Sequence, residues 1–345
     1  MLKFIGSVAA SNFKRLGSPF KVSWAVTYRC NLRCKMCNIW DKKDHPPEVN
    51  ADEIGALFSR PHHVHWLGIT GGEPFLRTDL IDIVDAALTP SKTLNALHFA
   101  TNGSYTDRVE NLVHTLKKRH KKLKIVFTVS IDGPEALHNH IRGIDGTWGR
   151  ALATFKMLKK IPNVKPQFGF TLSHNNLDKF ERTFLALGDV YPALTFDDMT
   201  VNVFQRSNFY YENHAMPELD PARLTREIQK ILAMDKDRLS LNNFLRRKYL
   251  KLYLQFLKTR KSPVKCQSFA STCFLDPYGN LFPCAVYNRK LLNIKETVLS
   301  LNEIWQLKEA LRIHNECARN KCPSCWSPCD AYSAMGGSII PTVFK

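Results

Sequence analysis

The sequence predicts an α/β protein: a partial (βα)6 barrel of the TIM type, followed by a small cysteine-rich α+β domain. Three observations carry that expectation. Apolar, β-branched or aromatic runs alternate with amphipathic stretches from residue 22 to residue 215, the pattern of parallel strands joined by crossover helices. The residues with chemical potential recur just after those runs, where barrels of this kind gather reactive groups. The ten cysteines fall into two groups separated by more than 220 residues. Scattered core cysteines would not segregate in this way, so two sites in two regions are expected.

In chain order, strands are expected over 22–27, 64–70, 96–101, 125–131, 168–172 and 194–204. Helices are expected over 51–59 behind the cap Asn50, then over 80–88, 108–119, 148–160 and 176–187. The expected division is a basic amphipathic segment 1–20, the barrel 21–215, a basic helical linker 216–262 and the cysteine-rich domain 263–345. No internal repeat or low-complexity segment is evident.

At 345 residues, 44% hydrophobic and 23% charged, the chain has a globular composition, which argues against disorder and fibrous repeats. It contains no run of about 20 apolar residues, and the first residues lack a secretory signal. Cysteines without an export signal point to metal or redox chemistry rather than a disulfide framework. A cytoplasmic location is expected, with peripheral attachment at the inner face of the membrane as an option. The formal net charge is +18, from 49 Lys+Arg against 31 Asp+Glu. Residues 221–265 alone hold 13 basic and three acidic residues. There the charge coincides with an apolar helical stripe of Leu241, Phe244, Leu245, Tyr249, Leu252, Tyr253 and Phe256. Such a helix suits an anionic membrane surface or an anionic substrate, or else simply packs against the barrel. The N-terminal stretch repeats the theme with Leu2, Ile5, Ala9, Phe13 and Leu16. Nucleic acid is a competing anionic partner, but no recognition module supports it.

Cys30, Cys34 and Cys37 follow the first expected strand directly. A structural zinc site wants four protein ligands, so three thiolates with no fourth nearby suggest an iron–sulfur cluster with one iron left open. The segment VTYRCNLRCKMCNIW resembles the signature of radical S-adenosylmethionine (radical SAM) enzymes. One departure is Met36, where that signature usually has an aromatic residue. Gly71-Gly72-Glu73-Pro74 after the second strand is similar to the family's GGEP motif, and its glycines would let the backbone approach a ligand. Asn102, Ser130 and Asp132 end later strands, and His138 and Arg142 stand in the spacing DGPxxxHxxxRG. The resemblance implies a 4Fe–4S cluster on the three cysteines that reductively cleaves S-adenosylmethionine to a 5′-deoxyadenosyl radical. It also implies that Gly71, Gly72, Glu73, Asn102, Ser130, Asp132 and Arg142 seat that cofactor, with Glu73 or neighbouring carbonyls taking its ammonium. Arg142 would clamp the methionine carboxylate bidentately. His138 reads more readily as structural, and Thr171 and Ser173 are weaker candidates for cofactor contacts. An external electron donor of flavodoxin or ferredoxin type is implied as partner.

The second group is Cys266, Cys273, Cys284, Cys317, Cys322, Cys325 and Cys329. With Gly279 five residues before Cys284, and the segments FLDPYGNLFPC and SLNEIW, it resembles the auxiliary-cluster module called SPASM, or its shorter form Twitch. The turn-like DPYGN predicts a hairpin over 276–280. Two fully ligated 4Fe–4S clusters need eight thiolates and the module offers seven. That leaves one auxiliary cluster with spare thiols, or two with an incomplete ligand set. The expected function is hydrogen abstraction from a peptide, a lipid or another anionic metabolite, an oxidoreductase or maturase type of activity. The rival is a zinc-stabilised nucleic-acid-binding protein.

Overall fold

The computed structural model describes residues 2–11, 13–60, 62–235 and 240–336. Helix α1 (Leu2–Ser11) precedes six strand–helix units. These run β1 (Lys21–Thr27), α2 (Ala51–Phe58), β2 (Trp66–Gly71), α3 (Leu80–Leu88), β3 (Ala96–Thr101) and α4 (Thr106–Arg119). They continue with β4 (Lys124–Ser130), α5 (Glu135–Arg142), α6 (Thr147–Lys159), β5 (Val164–Leu172), α7 (Phe180–Val190), β6 (Met199–Val203), α8 (Pro221–Met234) and α9 (Leu241–Thr259). The cysteine-rich part adds β7 (Thr272–Leu275), β8 (Asn280–Phe282), β9 (Leu292–Asn293), α10 (Leu301–Trp305), α11 (Lys308–Ala318) and α12 (Pro328–Gly336).

One nine-stranded sheet has the order β6-β5-β4-β3-β2-β1-β7-β8-β9. The first six strands are all parallel and lie in chain order, as right-handed crossovers place them. Their side chains divide by the period of two. Trp24, Ile69, Phe99, Phe127, Phe170 and Val201 are buried in the main hydrophobic core. The alternate positions, among them Thr70, His98, Thr128, Thr171 and Asn202, are polar and half-buried. Every expected strand and helix of the barrel is present, with shifted ends. Asn50 does cap α2, in a reciprocal box with Glu53.

The C-terminal part begins by extending the barrel sheet. β7 pairs parallel to β1, from Lys21 opposite Thr272 to Trp24 opposite Leu275. The expected hairpin then forms between β7 and β8, and Gly279 takes a φ of 91° in its turn.

The basic helix is used differently from the lipid-facing expectation. In α9, Tyr249, Leu250, Tyr253 and Phe256 are buried, with Tyr249 stacked against Trp326 and against Tyr332 of α12. Arg246 is 2% exposed and pairs with Asp235 at 2.7 Å, while also donating to the carbonyls of Phe196 and Met199. Arg247 donates to the carbonyl of Leu232. The stripe therefore packs inward, and two of the charges thought to be solvated are internal clamps. Phe244 remains exposed. Near the N-terminus, Leu16 is buried and Arg15 lies over the Trp305 ring, so this stretch is docked on the cysteine-rich part. Phe13 is exposed, and the side chains of Leu2, Ile5, Ala9 and Leu241 lie outside the described residues. No helix among the described residues is long and apolar enough to cross a membrane.

Candidate metal and cofactor site

The strand ends of the barrel converge on the loop that carries Cys30, Cys34 and Cys37. Its backbone is gripped from three sides. The amides of Gly72 and Glu73 donate to the carbonyls of Thr27 and Arg29, at 2.8 and 2.9 Å. Gly71 has a φ of 140°, and a Cβ on Gly72 would lie 2.2 Å from the Arg29 carbonyl oxygen. The glycine pair thus lets this turn meet the cysteine loop. On a second side, Arg33 and Lys35 amides satisfy the last carbonyls of α5, those of Arg142 and Ile141. Gly143, with φ 75°, ends that helix where a Cβ would strike the Arg33 carbonyl. On the third side lies the loop after β6. Asn213 donates to the Met36 carbonyl at 2.9 Å, and the Asn38 amide donates to the Tyr211 carbonyl.

The expected cofactor residues gather around this loop, but several are engaged with one another. Glu73 is wholly buried and its carboxylate accepts from the Thr101 hydroxyl and the amides of Asn102 and Phe75. Burial pushes its pKa up to about 7, against those hydrogen bonds. Asn102 gives its side-chain amide to Asn31 inside the cysteine loop. Asp132 is fully buried and paired with Arg142, whose Nη1 lies 3.7 Å from Cys34 Sγ. Burial works against the Arg142 charge, but Asp132 and Cys34 hold its pKa above the ordinary value. Arg142 is therefore spoken for by Asp132 and faces the cysteine sulfur, not an open position for a free carboxylate. His138 accepts from the Asp132 amide, and burial lowers its pKa to about 2, so it is a neutral structural ring. Ser130 is half-buried at the end of β4. Thr171 gives its amide to Asp132, and Ser173 closes a turn with Asn176.

Three residue groups that sequence reasoning missed complete the site. Arg77 is buried and holds the ends of the cysteine loop through the carbonyls of Val26 and Val49. Tyr210 gives its hydroxyl to the Gly71 carbonyl, and contacts Thr70 at 3.0 Å. Tyr28 lies under the Lys42 ammonium, 4.7 Å from the ring centre. The long loop SNFYYEN, rich in aromatics and asparagine, was the available signal for Tyr210, Tyr211 and Asn213.

Burial raises the pKa values of Cys30 and Cys37 to about 12, and that of Cys34 also upward. In the metal-free chain these thiols stay protonated at neutral pH, and metal binding must release the protons. Three such thiols around a guanidinium suit an anionic cluster. Glu73, a buried carboxylate with no ion pair among the described residues, suits a ligand that carries an ammonium. The site's own residues fit both groups.

In the C-terminal part, Cys266, Cys284, Cys317, Cys322 and Cys325 line one cavity together with Asp330. The structure does not bring the other two there. Cys273 lies on β7 opposite Val22, buried in the main core, and Cys329 is exposed at the start of α12. Among the described residues, no group of three or more His, Cys, Asp or Glu is set to hold a single metal ion. A cluster makes a different demand, since its thiolates bind separate irons.

Comparison with known proteins follows this geometry. The radical SAM superfamily profile matches residues 24–187. The AdoMet-dependent heme synthase of Methanosarcina barkeri is 26% identical over 318 residues, 86% of this chain and 84% of its own. The mycofactocin maturase MftC of Mycolicibacterium smegmatis is 23% identical over 90% of this chain and 76% of its own. The solved structure of native anSMEcpe with bound AdoMet and Cp18Cys peptide superposes with a TM-score of 0.60 at 17% identity, covering 87% of this chain and 83% of that one. These likenesses do not favour a zinc-stabilised nucleic-acid-binding protein. They bring with them S-adenosylmethionine, a 4Fe–4S cluster and the need for an external reductant. Residues 24–187 carry a domain of the radical SAM superfamily, and the cysteine-rich part that follows resembles an auxiliary module of the SPASM/Twitch type.

Proposed function

We propose that this chain is a peptide-modifying radical SAM enzyme. Cys30, Cys34 and Cys37 would hold the reducing cluster, and the cysteines of the C-terminal cavity would hold an auxiliary cluster that would supply an electron acceptor or a substrate anchor. A donor of flavodoxin or ferredoxin type supplies the electrons. When bound, the cluster and S-adenosylmethionine supply a 5′-deoxyadenosyl radical that takes a hydrogen atom from the substrate. The chain's own part is to position and shield. Gly71, Gly72, Glu73, Asn102, Ser130 and Asp132 shape the seat of the cofactor. Arg142 offsets negative charge beside Cys34, and the loop of Tyr210 and Tyr211 covers the cysteine loop.

The observation that carries the peptide reading is the half-buried face of the sheet. Thr70, His98, Thr128, Thr171 and Asn202 give it hydroxyl, imidazole and amide groups but no acid. Thr70 already pairs with Tyr210 and His98 with Thr128, but the remaining hydroxyl and amide capacity of this face suits the backbone amides of a peptide better than a lipid chain. Of the apolar stripe that pointed to lipid, Tyr249, Tyr253 and Phe256 are buried inside the protein, while Phe244 is exposed. The test is anaerobic incubation with S-adenosylmethionine, dithionite and separate peptide, lipid and small-metabolite fractions of cell extract. Formation of 5′-deoxyadenosine should rise above the substrate-free rate with peptide alone. Stimulation by lipid or small metabolites instead would sink the peptide assignment.

A further inference from the structure

The auxiliary cavity contains one donor that is not a cysteine. Asp330 lines it beside five thiols, and its Oδ2 is fully buried with no hydrogen-bond partner. Among the described residues, its carboxylate makes no ion pair at all. A buried carboxylate left this way is costly, and native structures rarely keep one without a reason. The plainest reason would be capping, since Asp330 stands in the first turn of α12. A capping carboxylate accepts from the helix's first amides, and this one accepts from none. Its nearest available cation, Lys21, donates instead to the carbonyl of Cys329. That leaves a buried, unpartnered oxygen on a residue that lines a cavity with five thiols.

The cavity holds five thiols, enough for one 4Fe–4S cluster and three short of two. Of seven cysteines in the module, Cys273 is committed to the core and Cys329 lies outside the cavity. We propose that Asp330 is an oxygen ligand to one iron of an auxiliary cluster bound in this cavity. The inference rests on the reading that the cavity holds iron and sulfide. A carboxylate is a harder donor than a thiolate, so the iron it holds is distinct from its neighbours and more readily exchanged.

The test uses the full chain carrying Cys30, Cys34 and Cys37→Ala, reconstituted without oxygen, so that only auxiliary iron remains. Into this background go Asp330→Asn, which keeps the shape, and Asp330→Cys, which restores a ligand. Circular dichroism and thermal melting check that each variant folds. Asp330→Asn should lose roughly one iron in four from the cluster concerned and show a three-iron signal in the oxidised electron paramagnetic resonance spectrum. Asp330→Cys should keep its iron but shift the reduced spectrum and the midpoint potential. If both variants match the Asp330 parent in iron, spectrum and potential, Asp330 is not a ligand. If the parent itself holds no auxiliary iron, the reading of the cavity fails together with the proposal.

Discussion

The two cysteine sites are built by opposite means. The loop of Cys30, Cys34 and Cys37 is fixed by main chain against main chain, with the Gly71–Gly72 turn, the end of α5 and the loop after β6 all bonded to it. The C-terminal site instead brings five thiols to one cavity, where Cys317 bonds to Cys266 and Cys322, side chain to side chain. The first site is shaped before metal arrives. For the second we expect much of the order to come with the metal, as in sites without such a frame. The lesson is that the radical-generating site needs geometry held against every state of the cofactor, while an auxiliary site can be organised by what it binds.

The sharpest way to break this contrast is to remove ligands from one site alone. Replacing Cys30, Cys34 and Cys37 by Ala should bring 5′-deoxyadenosine formation down to background while auxiliary iron stays bound. Loss of all iron would show that the two sites are one interdependent centre. Iron removal by a chelator should come next in effect. Limited proteolysis should then open segments within 262–336 while 21–203 resists, because the barrel keeps its own core. Cleavage at equal rates in both regions would contradict a prebuilt first site.

A smaller effect probes the strut between the regions. α9 packs on α8 and on α12, and Arg246 closes it onto Asp235 and the approach to β6. Arg246→Gln leaves a buried carboxylate uncompensated and should cost about 3–5 kcal/mol in denaturant unfolding. A solvated charge at that position would cost within about 0.5 kcal/mol. The smallest effect concerns Glu73. Its folded pKa of about 7 lies above the ordinary 4.5, so the unfolded chain loses that proton first as pH rises. Relative to Glu73→Gln, the metal-free protein should lose stability between about pH 4.5 and 7 and change no further above that. The loss is at most ~3 kcal/mol, and thermal melting of both proteins across that range measures it. An unchanged difference would mean that Glu73 is better solvated than its position indicates.

How much of this was legible in the sequence depends on range. Periodicity located most barrel elements because a strand or helix writes its own pattern locally. α5 was read only as a motif, since DGPxxxHxxxRG drew attention to single residues and away from their helical spacing. The glycines of the GGEP turn were rightly marked, but the sequence does not show what their backbone approaches. The inward clamp of Arg246 was not legible, because its partner, Asp235, sits on the segment before α9 and nothing local announces it. The split of the second cysteine group was equally hidden. Whether a thiol on a strand faces core or cavity depends on pairing with β1, more than 240 residues earlier.

That pairing also sets an order of events during synthesis. β1 is made early, yet one of its two edges is filled only when β7 arrives. Until then the nascent barrel carries an unpaired edge, the kind of surface that templates association with other chains. Closing a contact across so long a span is also slow. The last quarter of the chain is therefore both a home for clusters and the piece that seals the barrel, and a chain stalled before β7 should be far more prone to aggregate than one stalled just after β9.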